Sequence, residues 1–292
     1  MTAEAFDPSG LAAILAVDQY PETVRWPVAP FNGPWFVFVA FLLGLGVCLH
    51  FALRGRTMRF KAWALSGIAT FSVVIYTAFT FQSILNPFYP QVNLAQNLPL
   101  HFCILSAWGL IFAPLVKWSP LRAVLVFPGT VAGVLALTSP IEVYVDRPLF
   151  SLAAYGFYSV HAFNAILGTL LATLGFFRPS YKEAMKSVGY FCIVAVLIFP
   201  LDLAMRAWID PGVNYFYEFA PENALILQLL YNVVPIPLVY VLLVMPIAFG
   251  GVLLQAALYS LAGRIVGHPI GAPPPRGGEV GLDEVEAAPQ TG

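Results

Sequence analysis

Seven apolar runs, each near the roughly 20 residues that a helix needs to cross a hydrocarbon core, dominate this chain. They cover about residues 34–53, 62–81, 98–116, 121–138, 151–177, 188–208 and 236–261. Backbone in lipid must satisfy its own N–H and C=O groups, so runs of this length predict helices. The expected fold is an all-α membrane protein, a seven-transmembrane helix bundle over residues 34–261. Its 10% charged residues and mean hydropathy of +0.79 agree, since soluble domains carry about 25% charge. The fourth run holds Pro128 and Gly129 and is expected to kink there.

Charge placement gives the orientation. Arg54, Arg56, Arg59, Lys61, Lys117, Arg122, Arg178, Lys182, Lys186, Arg264 and Arg276 fall on one side of these runs, eleven of the fourteen Lys and Arg. Only Arg25, Arg147 and Arg206 fall on the other. Cytoplasmic loops are the basic ones, which puts the N-terminus outside and the C-terminus in the cytoplasm. Residues 1–33 then form an extracytoplasmic segment in which LAAILAV (11–17), too short to span, reads as an interfacial helix. The Pro/Gly-rich and acidic residues 262–292 read as a disordered cytoplasmic tail. A net charge of −1 argues against nucleic acid as a partner. No internal repeat supports an inverted-repeat transporter.

Polar residues inside the runs share one depth. In QNLPLHFCILS (96–106), Asn97 reads as the helix N-cap and Pro99 suits the first turn. His101 and Cys103 then lie about 5 and 8 Å below the helix start, at roughly 1.5 Å per residue. His161 and Asn164 are three apart on the fifth helix and so share a face. Asp202 and Arg206, four apart on the sixth, are placed to pair; an intramembrane acid costs about 2.5–3.5 kcal/mol and needs a partner. All six fall in the outer half of the membrane, below the loop GVNYFYEFAPEN, whose Asn214 and Tyr215 form a lid or an interfacial anchor. Each also has an ordinary reading: Cys103 as a small core residue, Asp202–Arg206 as a structural ion pair.

Acyl transfer is the chemistry this set suits. Cys103 would be the nucleophile at lipid-ester depth. His101 points about 200° away from Cys103 on a regular helix, so His161 is the better general base. Asn164 and His101 could orient groups or donate to an oxyanion, and Asp202 and Arg206 would shape the field. Cys48, Cys103 and Cys192 lack CxxC spacing, so neither disulfides nor a thiolate metal site is expected, and no cofactor is implied.

LPLHFC (98–103), FYSVHAFNAILG (157–168) and VNYFYEFAPEN (213–223) resemble the YwaF-like family of bacterial integral membrane proteins. Its animal relatives include a transmembrane acyltransferase that builds arachidonoyl ether phospholipids. More distantly the chain is similar to the androgen-induced membrane hydrolases, which use Thr and His. The resemblance spans roughly residues 95–250. It implies a nucleophile at Cys103, a His at His161, a bacterial inner-membrane location and membrane phospholipid or another acyl lipid as partner. His101 belongs to the bacterial motif without an assigned role.

The leading expectation is therefore a thiol-dependent acyltransferase or acyl hydrolase acting on membrane lipid esters. The alternative is a non-catalytic lipid-binding or accessory subunit of a larger complex. Its small-residue faces, Gly129, Gly133 and Gly168, would meet helices of the bundle or of a membrane protein partner. A retinal protein is excluded, because Lys61, Lys117, Lys182 and Lys186 all sit at cytoplasmic ends or loops. A proton relay is disfavoured by the sparse polarity of the inner half.

Overall fold

The computed structural model describes residues 27–28, 31–85, 94–138, 147–148, 152–221 and 225–271. All seven apolar runs are helical there. They are α1 (Gly33–Arg54), α2 (Met58–Leu85), α3 (Phe102–Phe112), α4 (Ser119–Thr138), α5 (Leu152–Thr173), α6 (Tyr181–Trp208) and, after a shorter helix α7 (Leu225–Val233), α8 (Val239–Ile265). A two-residue strand pair, β1 (Pro27–Val28) with β2 (Arg147–Pro148), is the small exception to an all-helical chain.

Five of these helices, α1, α2, α4, α6 and α8, are long and apolar enough to cross a membrane. The expectation of seven spans meets two departures. Helix α3 has 11 residues, about 16 Å at 1.5 Å per residue, roughly half of a 30 Å core. Helix α5 has 22 residues but carries Ser159, His161 and Asn164. It can hold them because no residue from Gly156 to Leu174 is exposed. Helix α5 is the axis of the bundle, packed by α1, α2, α3 and α4.

The outer helices show the reverse pattern. Phe36, Val37, Phe41, Val47 and Phe51 on α1, Leu197 on α6 and Leu254 and Leu258 on α8 are each more than half exposed. Apolar surface this extensive on several helices suits lipid. The main core lies within, around Leu125, Phe127, Leu167 and Leu171.

Short links join α1 to α2, α3 to α4 and α5 to α6 at one end of the bundle. That end gathers Arg54, Lys61, Lys117, Arg122, Arg178, Lys182, Lys186 and Arg264. There Arg122 donates to the Ala113 carbonyl at 2.9 Å and the Phe176 carbonyl at 2.6 Å, closing the turn after α3 onto the end of α5. At the opposite end the Asn32 side chain caps α1 by accepting from Trp35 N at 2.9 Å, and the Trp35 indole donates to the Leu137 carbonyl at 2.8 Å.

The expected kink in α4 takes the form of a π-helical turn over Leu125–Gly129 around Pro128. Proline removes a donor from the ladder, and the freed carbonyls find other partners. Gln255 of α8 donates to the Val126 carbonyl at 2.6 Å, and the Thr130 hydroxyl donates to that of Leu125 at 3.3 Å. Gly133 and Gly168 set the α4–α5 crossing: a Cβ on Gly133 would stand 2.5 Å from the His161 carbonyl oxygen, and one on Gly168 would meet Thr130 and Leu125. These small residues therefore serve packing within the chain.

The segment expected to be a tail from residue 262 is helical to Ile265, and Gly271 (φ +76°) lies against the Phe177 carbonyl. The LAAILAV segment and residues beyond 271 lie outside the described residues.

Candidate functional site

Helix α3 begins later than its sequence suggests. Residues 95–97 form a 3-10 turn, and the helix N-cap is His101 (φ −63°, ψ 143°), whose carbonyl accepts from Ile104 N at 3.0 Å and Leu105 N at 2.9 Å. Asn97 is thus not the cap, because Pro99 favours an extended residue before it and delays the helical turn. The consequence concerns Cys103. It is the second helical residue, within the first turn.

Cys103 is half-buried with a free thiol, packed with Tyr76 against Val73, Ile104, Ala107 and Val160. Its carbonyl accepts from the Asn164 amide of α5 at 2.7 Å. Asn164 is 1% exposed, so this bond is shielded from water. It fixes which face of α5 meets the start of α3. His161, one turn earlier on that face, is also buried; its Nδ1 lies 2.7 Å from the Phe157 carbonyl. A carbonyl only accepts, so Nδ1 carries the proton and Nε2 keeps its lone pair. The His161 ring packs on Phe157 with centroids 4.3 Å apart.

Ser72 Oγ, Ser106 Oγ, Ser159 Oγ and Asn164 Oδ1, on α2, α3 and α5, are buried without a hydrogen-bond partner, and Ser106 Oγ lies beside Gly129 of α4. Ser106 is 2% exposed and lies three residues after Cys103, on its face of α3. Sequence reading did not single out Ser106, although its i+3 spacing from Cys103 was the available signal.

The remaining expected residues gather around the loop that follows α6. The His101 ring meets Tyr215 edge-on at 5.2 Å and Tyr217 at 5.5 Å. Tyr215 is fully buried and donates from its hydroxyl to the Ala95 carbonyl; burial pushes its phenol up to about 12. Asn214 acts within the loop. Its Oδ1 accepts from Phe219 N at 2.9 Å and Ala220 N at 3.3 Å, and its amide donates to the Ala220 carbonyl at 2.9 Å.

The expected Asp202–Arg206 ion pair is not formed. Arg206 donates to the Val213 carbonyl at 2.6 Å and stacks over the Phe219 ring at 4.5 Å, so its guanidinium faces the loop. Asp202 is fully buried with both oxygens unpartnered. Glu218 is equally buried and unpartnered. It turns inward because Phe216 and Tyr217 adopt left-handed backbone (φ +57° and +59°), reversing the chain where no glycine announces it. Burial, and then the negative charge of Asp202, push the Glu218 carboxyl up to about 8.

Among the described residues no group of three or more His, Cys, Asp or Glu side chains is placed to hold a metal ion. The free thiol of Cys103 sits in the first turn of α3, and Asn164, one turn after His161 on α5, bonds the Cys103 carbonyl.

A family model matches residues 29–255, a stretch that contains every site residue named above. The chain belongs to the TMEM164 family. Membership agrees with a multi-pass helical membrane protein. No curated protein and no solved structure matches the chain.

Proposed function

We propose that this TMEM164-family protein is a thiol-dependent acyltransferase or acyl hydrolase that acts on membrane lipid esters. The observation that carries the reading is the 2.7 Å bond from Asn164 to the Cys103 carbonyl. It holds the first turn of α3 against the α5 face that bears His161 and its free Nε2.

In the proposed reaction His161 Nε2 takes the Cys103 thiol proton, and the sulfur attacks the ester carbonyl carbon. Negative charge moves to the carbonyl oxygen, where first-turn amides of α3 and the Ser106 hydroxyl are candidate donors. Collapse forms the thioester, breaks the ester C–O bond and returns the proton from His161 to the departing lipid alkoxide. A hydroxyl of an acceptor lipid, or water, then gives its proton to His161 and attacks the thioester. The C–S bond breaks, and the proton returns to the sulfur. His101 would hold the Tyr215–Tyr217 loop against α3, with Asp202 and Arg206 supporting that loop.

The basic end of the bundle supports a cytoplasmic assignment for that end. The site then faces the outer leaflet, with the N-terminus outside, in the bacterial inner membrane that the YwaF-like resemblance implies. The test is transfer of a labelled acyl group from phospholipid to lysolipid or water by protein in nanodiscs, for the parent, Cys103→Ala and His161→Ala. Turnover by the parent that both variants lose supports the enzyme. Equal turnover, or none, in three folded proteins leaves a lipid-binding accessory role.

A further inference from the structure

An apolar cavity of about 190 Å³ is lined by α4, α6 and α8 and by Phe102 at the start of α3. On α8 it is lined by Val241, Val244, Ala248 and Val252, eleven residue steps from first to last. At about 1.5 Å per residue that stripe runs some 16 Å along the bundle axis. The cavity is therefore a narrow slot parallel to the helices. Its upper end is formed by Phe216, Tyr217 and Phe102, the first residue of α3 and the neighbour of Cys103. The left-handed backbone at residues 216 and 217 brings those two rings there. Leu227 of α7 adds to the wall from a helix whose Leu229 and Val233 remain exposed.

We propose that this slot takes one acyl chain of the lipid that reacts at Cys103. Its carbonyl end would lie at the Phe102–Tyr217 end and its methyl end toward Val252. The inference rests on the acyl-transfer reading and deepens it by naming a chain-binding subsite. A narrow slot lined by apolar side chains rejects polar head groups, whose burial without partners is costly. It sits among lipid-facing helices, where acyl chains are the abundant apolar solute. Its Phe102–Tyr217 end lies at the first turn of α3, which holds the proposed nucleophile.

The test uses the full chain in nanodiscs containing a phospholipid whose acyl chain ends in a diazirine and an alkyne. Irradiation and peptide mapping should place the label on residues 241–252 of α8 and 128–135 of α4, in the parent and equally in Cys103→Ala. Ala248→Trp should reduce slot labelling by long chains at least tenfold while short chains still label. Ala132→Leu serves the same purpose should the first variant fail to fold. In an active preparation, filling the slot should also shift the preferred acyl chain to a shorter one. Slot labelling without acyl transfer would retain the subsite and remove the enzyme. Label confined to the outward residues Leu254 and Leu258, or unchanged by both filling variants, would overturn the subsite even where transfer is observed.

Discussion

The Asn164 amide donates to the Cys103 carbonyl at 2.7 Å, joining the central helix of the bundle to the first turn of its shortest long-range partner. The bond lies in a buried environment, where losing one member leaves the other unsatisfied at a cost of about 1–3 kcal/mol. Asn164→Ala is therefore expected to lower the thermal midpoint in detergent and to reduce acyl transfer, because the start of α3 is no longer held to α5. Unchanged melting would show that the bond contributes nothing to the fold.

Gly133 gives a sharper packing prediction. The His161 carbonyl and the Ala165 amide nitrogen, at 2.5 and 3.0 Å from an added Cβ, are backbone and cannot rotate aside. Gly133→Val should force α4 and α5 apart and destabilise the bundle by about 1–3 kcal/mol or more. Gly44 on α1 has nothing within 4 Å of its Cβ position. Gly44→Ala should leave the melting temperature nearly unchanged, and comparing the two variants tests the close crossing.

Much of the bundle was legible because lipid allows so few backbone solutions. Every apolar run became a helix, and the basic loops mark one end. The start of α3 was misplaced by about four residues, since Asn97 and Pro99 fit a helix start locally while the chain instead makes a 3-10 turn and an extended link. That shift moved Cys103 into the first turn. The i, i+3 spacing of His161 and Asn164 identified a shared face correctly in kind, because a helix imposes it. The i, i+4 spacing of Asp202 and Arg206 predicted a pair that tertiary contacts override: Arg206 finds a carbonyl and a ring in the loop. Glu218 was illegible, because its burial depends on two left-handed residues that carry no local signal.

Glu218 makes the pH dependence distinctive. Its folded pKa is raised from the ordinary 4.5 to about 8, so the folded state holds a proton that the unfolded chain has already released. Between about pH 4.5 and 8 the unfolded state binds fewer protons, and stability falls as pH rises. Above about 8 the dependence levels off. Thermal melts across this window should show that decline, and Glu218→Gln should flatten it and stabilise the protein at the alkaline end. An identical decline in Glu218→Gln would assign it to other groups.

The central claim is a covalent intermediate on Cys103. Protein in nanodiscs would be incubated with an alkyne-acyl phospholipid, quenched in acid, and the peptide containing residues 98–112 weighed with and without hydroxylamine. The account predicts one acyl mass on Cys103, released by hydroxylamine, absent in Cys103→Ala and reduced about 10²–10⁴-fold in formation rate in His161→Ala. An acyl label that persists in Cys103→Ala, or a Cys103 that stays unmodified while the parent transfers acyl groups, would contradict it.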